Sequence, residues 1–212
     1  MSTIQGIVSD FGGVLTSPLL ESFLAYQEHS GIGLEELGHA MLAAERELGE
    51  NPLFRLERGQ LAETEFLTLL SGALSAQLGR QVSLEGMGER LMESLRPNER
   101  LIEYMRELGQ RGLKLAICTN NVREWEARWR AKLPVDEIFS VVVDSAFVGS
   151  RKPEPRIYEV TLARLELPAS ATLLLDDVEI NCDGARALGM QAVCFHDSEQ
   201  AITEIERALA EG

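Results

Sequence analysis

Short apolar and β-branched runs at residues 4–9, 113–118, 138–143, 172–175 and 190–195 are each followed by a stretch with helical spacing. Such alternation predicts βαβ units around a parallel sheet, because strands covered on both faces read as unbroken apolar runs. The section between the first two runs follows a different rule. Leu34, Leu37, Met41, Leu42 and Leu48, then Phe66, Leu67, Leu69, Leu70 and Leu74, recur at helical spacing only, so residues 18–95 are read as an all-helical insert. The insert opens at Ser17-Pro18, a capping residue followed by Pro at a first helical position, and Gly31 and Gly33 punctuate its first helix pair. It closes near Arg96-Pro97, where a helix over 97–111 is expected to start and Gly112 to stop it; residues 197–209 read as a last amphipathic helix.

Composition narrows the picture. With 45% apolar residues in periodic blocks the chain can bury enough surface to offset its conformational entropy, which excludes disorder. A formal charge of −14 without any cluster of Lys and Arg excludes a nucleic-acid footprint and argues against an anionic membrane surface. No stretch approaches the roughly 18 apolar residues of a spanning helix, and the N-terminus carries no early Lys or Arg, so an unprocessed chain is expected. Cys118, Cys182 and Cys194 lack metal-ligand or CxxC spacing and are read as reduced thiols, which points to the cytoplasm. His29, His39 and His196 are scattered and are read as surface residues.

An open parallel sheet places its ligand site beyond the carboxyl ends of its strands. Four such ends carry Asp10-Phe11-Gly12-Gly13, Thr119-Asn120-Asn121, Ser150-Arg151-Lys152-Pro153 and Asp176-Asp177 with Asn181 nearby. Each has a structural alternative: a tight turn at Asp10, helix caps at Thr119 to Asn121 and at Asp176-Asp177, a solvated loop at Lys152. Together they form a complementary set that independent caps would not supply. Lys152 is also one of only three lysines among 20 basic residues. Three carboxylates at one edge repel unless a cation sits among them, and oxygen ligands suit magnesium. A carboxylate such as Asp10 can act as a nucleophile, and the ammonium, the Thr119 hydroxyl and the N–H groups of Gly12 and Gly13 match the charge of a phosphoryl group.

In the order Asp10, Thr119, Lys152, Asp176-Asp177 the chain resembles the haloacid dehalogenase superfamily, across essentially its whole length. Thr119-Asn120, Lys152-Pro153-Glu154-Pro155 with Ile157-Tyr158, and Leu175-Asp176-Asp177 through Leu188-Gly189-Met190 carry the resemblance. In pattern it is similar to sugar-phosphate phosphatases and to the N-terminal phosphatase domain of soluble epoxide hydrolase. The resemblance implies a Rossmann-like α/β core, residues 1–17 and 96–212, with a helical cap over 18–95. It implies Asp10 as nucleophile, with Thr119 and Lys152 holding the phosphoryl group and the charged nucleophile. Mg2+ would be held by Asp10, the Gly12 carbonyl and Asp177, with Asp176 or Asn181 acting directly or through water, and Asn120 would orient substrate or loop backbone. The partner is then a small phosphorylated metabolite.

One departure changes the expected chemistry. Phosphatases of this family usually carry a second Asp two residues after the nucleophile as general acid, and here that position is Gly12. Loss of a general acid costs about 10²–10⁴-fold, so substrates with good leaving groups are expected, unless Thr16, a cap side chain, water or the substrate itself supplies the proton. Two other functions fit part of the pattern: a dehalogenase, whose halide leaves without a proton and needs no metal, and a non-catalytic protein that keeps the phosphate pocket. Substrate selection is expected in a loop at Arg55-Leu56-Glu57-Arg58-Gly59 facing the core, through Arg55 or Arg58. Trp125 and Trp129, four apart, read as a packing stripe or a substrate-facing wall, and Arg123 lies close enough to Asn121 to reach a substrate.

Overall fold

The computed structural model describes residues 3–211. Five strands, β1 (Gly6–Ser9), β2 (Lys114–Thr119), β3 (Val141–Asp144), β4 (Thr172–Asp176) and β5 (Gln191–Cys194), form one parallel sheet in the order β3-β2-β1-β4-β5. The fold is a Rossmann-like α/β arrangement, and the period-two geometry of a strand sorts its core. Val8, Ala116, Cys118 and Leu174 point to one face, covered by α10 (Pro155–Leu165) and α11 (Glu179–Ala187). Ile7, Leu115, Ile117, Leu173 and Leu175 point to the other, covered by α6 (Glu99–Gln110) and α12 (Ser198–Ala210).

Between β1 and α6 the described residues form five helices and no strand: α1 (Leu19–Ser30), α2 (Leu34–Leu48), α3 (Pro52–Glu57), α4 (Glu63–Leu78) and α5 (Met87–Ser94). Their interior, with Leu56, Phe66, Leu70, Leu74 and Leu91, continues the apolar layer that runs up from the sheet through Phe11, Val14 and Trp129. The chain enters and leaves this segment at adjacent points. Thr16 and Pro97 form an antiparallel bridge, Ser17 N–H donates to Arg96 C=O at 2.7 Å, and Asn98 N–H donates to Leu15 C=O at 2.9 Å. No helix of the described residues is long and apolar enough to cross a membrane.

Several boundaries differ from the sequence reading. The apolar run at 138–143 is divided: Val135–Ile138 forms a helical turn, α8, behind Pro134, and the strand begins only at Val141. A short apolar run has no periodicity to distinguish the two. Ser17 does not cap α1; its Oγ accepts from Arg96 N–H instead. Pro97 is held in the bridge, and Asn98 caps α6 by accepting from Leu101 N–H. The expected loop at 55–59 is mostly helix α3, capped by Asn51 with Pro52 at its first position. After β2 a short turn at Arg123–Trp125 leads into α7 (Glu126–Arg130), and α9 (Ser145–Val148) follows β3.

Candidate active site

Asp10 follows β1 directly, and its N–H still pairs with Leu175 C=O at 2.8 Å, so the central strand fixes its position. Its Oδ1 accepts from Phe11 N–H at 2.7 Å and from Lys152 Nζ at 2.9 Å. The Lys152 side chain is fully buried and its Nζ also lies 2.5 Å from Asp176 Oδ2, so one ammonium bridges two carboxylates. Asp176 ends β4, and its Oδ1 accepts from Val178 N–H at 3.0 Å and Asn181 Nδ2 at 2.9 Å. All its oxygens are therefore engaged from behind. Asn120 clamps the lysine's own main chain, with Oδ1 accepting from Lys152 N–H at 2.7 Å and Nδ2 donating to Lys152 C=O at 3.0 Å. Of the two roles expected for Asn120, orientation of loop backbone is the one these bonds perform.

Asp177 stands exposed beside Gly13. Gly13 has φ +82°, and a Cβ there would lie 2.3 Å from Asp177 Oδ2, so only glycine allows this approach. Asp10, Asp176 and Asp177 each bring a carboxylate oxygen within 4.8 Å of the others. Burial, with repulsion from Asp176 and Asp177, pushes Asp10 up to about 7 against the pull of Lys152. Partial burial and the Asp176 charge likewise raise Asp177. Burial opposes the Lys152 charge, but Asp10 and Asp176 outweigh it and hold the ammonium well above the ordinary lysine value. One ammonium against three ionised carboxylates leaves two negative charges. An all-oxygen donor set with that residual charge fits a divalent hard cation.

These groups open onto a cavity of about 520 Å³ whose wall includes Asp10, Gly12, Thr119, Asn120, Lys152, Asp177 and Asn181. Thr119, the last residue of β2, is buried at its floor. A Cβ on Gly12 would meet Leu19 Cδ1 at 3.4 Å, so an α1 leucine fills the place beside the expected acid position. Thr16 does not replace that acid: it is buried, its Oγ1 lies near Phe11 C=O, Ser17 C=O and Gly13 N–H, and it is absent from the cavity wall.

The expectation for Arg55 and Arg58 is corrected, because neither lines the cavity. Arg58 is consumed by Glu154 at 2.5 Å and Glu50 at 2.5 Å, ion pairs that join α3 to the start of α10. The other face of α3 supplies Phe54 and Glu57, three apart and so on one side of the helix. Glu57 accepts from Arg151 Nε at 2.5 Å, and the Arg151 guanidinium stacks 3.9 Å from the Phe54 ring centre. Burial holds the Glu57 carboxyl above its usual range although Arg151 draws it down. Sequence reading passed over Arg151 in favour of its neighbour; the i, i+3 spacing of Phe54 and Glu57 was the signal available for the helix. Arg123 is also corrected, since its Nη2 donates to Ala146 C=O at 2.6 Å and it sits over Phe147. The tryptophans divide the two readings. Trp129 is buried, 4.9 Å between ring centres from Phe11, whereas Trp125 lines the cavity and donates from Nε1 to Glu63 Oε1 at 2.7 Å.

A second ligand-like group, Glu179 with Cys182 and Cys194, lies on the far side of β4. Burial pushes Cys182 up to about 12 and Cys194 up to about 11, and Glu179 is paired with Arg186 at 2.5 Å, so these thiols stay protonated.

The geometry is that of a hydrolase built on a parallel sheet, with its acidic cluster at the carboxyl edge. The chain matches the model of the haloacid dehalogenase-like hydrolase family over residues 4–189, and it belongs to that family. It is 26% identical over 211 residues to "Bifunctional epoxide hydrolase 2" of Rattus norvegicus, spanning 93% of this chain but only 37% of the rat protein. It is 25% identical to a sesquiterpene phosphatase of Aspergillus oryzae, with 98% of each chain covered. Among solved structures it is similar to a HAD-like family hydrolase from Porphyromonas gingivalis, with a TM-score of 0.71, 25% identity and full coverage of both chains. A HAD family enzyme of Bacteroides thetaiotaomicron, solved with magnesium and inorganic phosphate, shares the fold with a TM-score of 0.66 at 20% identity, over 93% of this chain and 98% of the other.

Proposed function

We propose that this protein is a magnesium-dependent phosphatase that cleaves a monophosphate ester of a small metabolite through a phospho-aspartate at Asp10. The observation that carries the reading is the fully buried Lys152 ammonium bridging Asp10 and Asp176 at the floor of a cavity that Asp177 also lines. An ammonium so placed favours the ionised form of Asp10 against its burial and faces the equatorial oxygens of an incoming phosphoryl group. A magnesium-bound structural neighbour and a phosphatase relative support the same assignment.

In this mechanism an Asp10 carboxylate oxygen attacks phosphorus, the bond from phosphorus to the leaving-group oxygen breaks, and the leaving group departs as its oxyanion, a phenoxide, carboxylate or alkoxide, which takes its proton from solvent. Water then attacks the phospho-aspartate at phosphorus, releasing inorganic phosphate and restoring Asp10. Thr119 and Lys152 hold the phosphoryl oxygens with the backbone N–H of Gly12, the Gly13 N–H being turned to Thr16 Oγ1, and Asn120 fixes the lysine by its main chain. Asp10, the Gly12 carbonyl and Asp177 would hold magnesium, which when bound would supply the two positive charges the cluster lacks. Asp176 and Asn181 act behind that pair. With Gly12 flanked by Leu19, the leaving group departs with little protonic help, which favours aryl, acyl or anomeric phosphates.

Release of inorganic phosphate from a panel of such esters, with and without magnesium, tests this. The expected result is magnesium-dependent release that Asp10→Asn abolishes. Metal-independent halide release from a halo-acid would overturn it in favour of a dehalogenase, and tight vanadate binding without turnover of any ester would identify a binding protein.

A further inference from the structure

A second cavity of about 240 Å³ lies among α1 to α5, lined by Phe23, Met41, Phe66 and Leu70 among others. Every residue of its wall is apolar or glycine, and the indole N–H of Trp125 is the sole polar side-chain group. Trp125 lines both this cavity and the one above Asp10. Elsewhere the two walls are formed by sequence neighbours, with Leu53 and Leu91 on the inner side and Phe54 and Met92 on the outer. The backbones of α3 and α5 thus separate the two cavities there, and Trp125 is the side chain they share. The Trp125 indole occupies the space left by Gly88, where a Cβ would lie 2.3 Å from Nε1, and is held there by Glu63. The outer cavity is itself bordered by exposed apolar side chains, with Leu19 at 42%, Val178 at 45% and Ile180 at 61% exposure.

The cavity opens to solvent beside the exposed Leu34 and Gly38, and at roughly 30 Å³ per small group it accommodates about eight methylenes. Nothing in its wall could satisfy a sugar hydroxyl, whose burial without a partner is unfavourable. We propose that the inner cavity binds the apolar chain of the ester, passing Trp125, while the phosphoryl group lies at Asp10. The substrate class is then an amphiphilic monophosphate: an aryl or acyl phosphate bearing an apolar chain of about eight carbons. The location of the head group rests on the phosphatase reading; the chain site rests on the second cavity.

The test uses para-n-alkylphenyl phosphates from methyl to decyl, in which the leaving phenol stays near the tyrosine value of about 10 while only the chain grows. With magnesium present, kcat/KM is expected to rise by up to about fourfold per methylene and to level off near octyl. Gly38→Phe adds a ring from the cavity wall, at a position where a Cβ meets nothing within 4 Å. It is expected to bring the octyl-to-methyl ratio to within about threefold of unity, a loss of several of those methylene increments. Calorimetric binding of n-alkylphosphonates to Asp10→Asn protein measures the same length dependence without turnover. Hydrolysis of the methyl member with no length dependence, or a length dependence that Gly38→Phe leaves intact, would overturn the chain site and leave the phosphatase reading standing. Phosphonate binding that tightens with length, with no ester hydrolysed, would support the chain site and sink the phosphatase reading.

Discussion

Gly12→Asp puts a carboxyl back where relatives of this family carry their general acid, and the structure says it fits. The Gly12 backbone is outside the left-handed region, and the nearest atom to a new Cβ is the tip of Leu19 at 3.4 Å, a half-exposed side chain free to turn away. A positioned general acid contributes about 10²–10⁴-fold, roughly 3–5 kcal/mol of barrier at 1.4 kcal/mol per decade. That gain applies only where the leaving oxygen needs a proton. The expected outcome is therefore asymmetric: kcat/KM for simple alkyl phosphates rises by about two orders of magnitude or more, while activated aryl phosphates change little. The assay is kcat/KM at saturating magnesium for esters ranging from activated phenols to primary alcohols, plotted against leaving-group pKa for both proteins. The native protein should show a steep dependence and Gly12→Asp a shallow one. A flat dependence in the native protein with chemistry rate-limiting would refute the reasoning, as would unchanged alkyl rates in a variant whose magnesium requirement is unaltered.

Other perturbations separate the parts of the site. Lys152→Met leaves Asp10 and Asp176 buried without their shared ammonium, and should cost about 3–5 kcal/mol in urea unfolding without magnesium; a loss below about 1 kcal/mol would mean the pair contributes little. Gly13→Ala forces Asp177 away from the loop and strains a φ of +82°, so magnesium affinity, followed by titration of thermal protection, should fall at least tenfold. Glu57→Gln should change aryl phosphate turnover less than about threefold; a loss in the 10²–10⁴ range that grows with leaving-group pKa would instead make Glu57 the missing acid. Burial raises Asp144 to about 6 from an ordinary 3.8, so the folded state binds this proton more tightly than the unfolded chain. Its contribution is most favourable below about pH 4 and worsens as pH rises through 6. Asp144→Asn should accordingly match the native protein at pH 4 and exceed it by about 1–3 kcal/mol at pH 8 in denaturant unfolding.

The sheet was legible because its strands are covered on both faces: runs such as Ile7-Val8 and Leu173-Leu174-Leu175 leave no polar position for solvent. Where an apolar run also fits one turn of helix, as at Val135 to Ile138, pattern alone could not choose, and Pro134 decided it. The residues of the sheet edge were legible from strand ends and charge complementarity. Their couplings were not, since the grip of Asn120 on the Lys152 backbone joins positions 32 apart in the chain. Arg58 illustrates the converse error. A lone guanidinium in the sequence looks free to meet a ligand, but its acceptors, Glu50 and Glu154, come from separate segments.

The paired crossings at Thr16 and Pro97 also bear on how such a molecule diversifies. Because the polypeptide departs from the sheet and returns to it at neighbouring points, the helical segment hangs from a narrow isthmus and interrupts none of the strand pairings. Segments whose ends lie close together can be exchanged, lengthened or shortened without disturbing their host. The helices can therefore drift while the ammonium and its carboxylates stay put, and a transplant of the residues between the two crossings from a relative should carry over its selectivity once Trp125 and Arg151, which pair with Glu63 and Glu57 across the boundary, are exchanged with it.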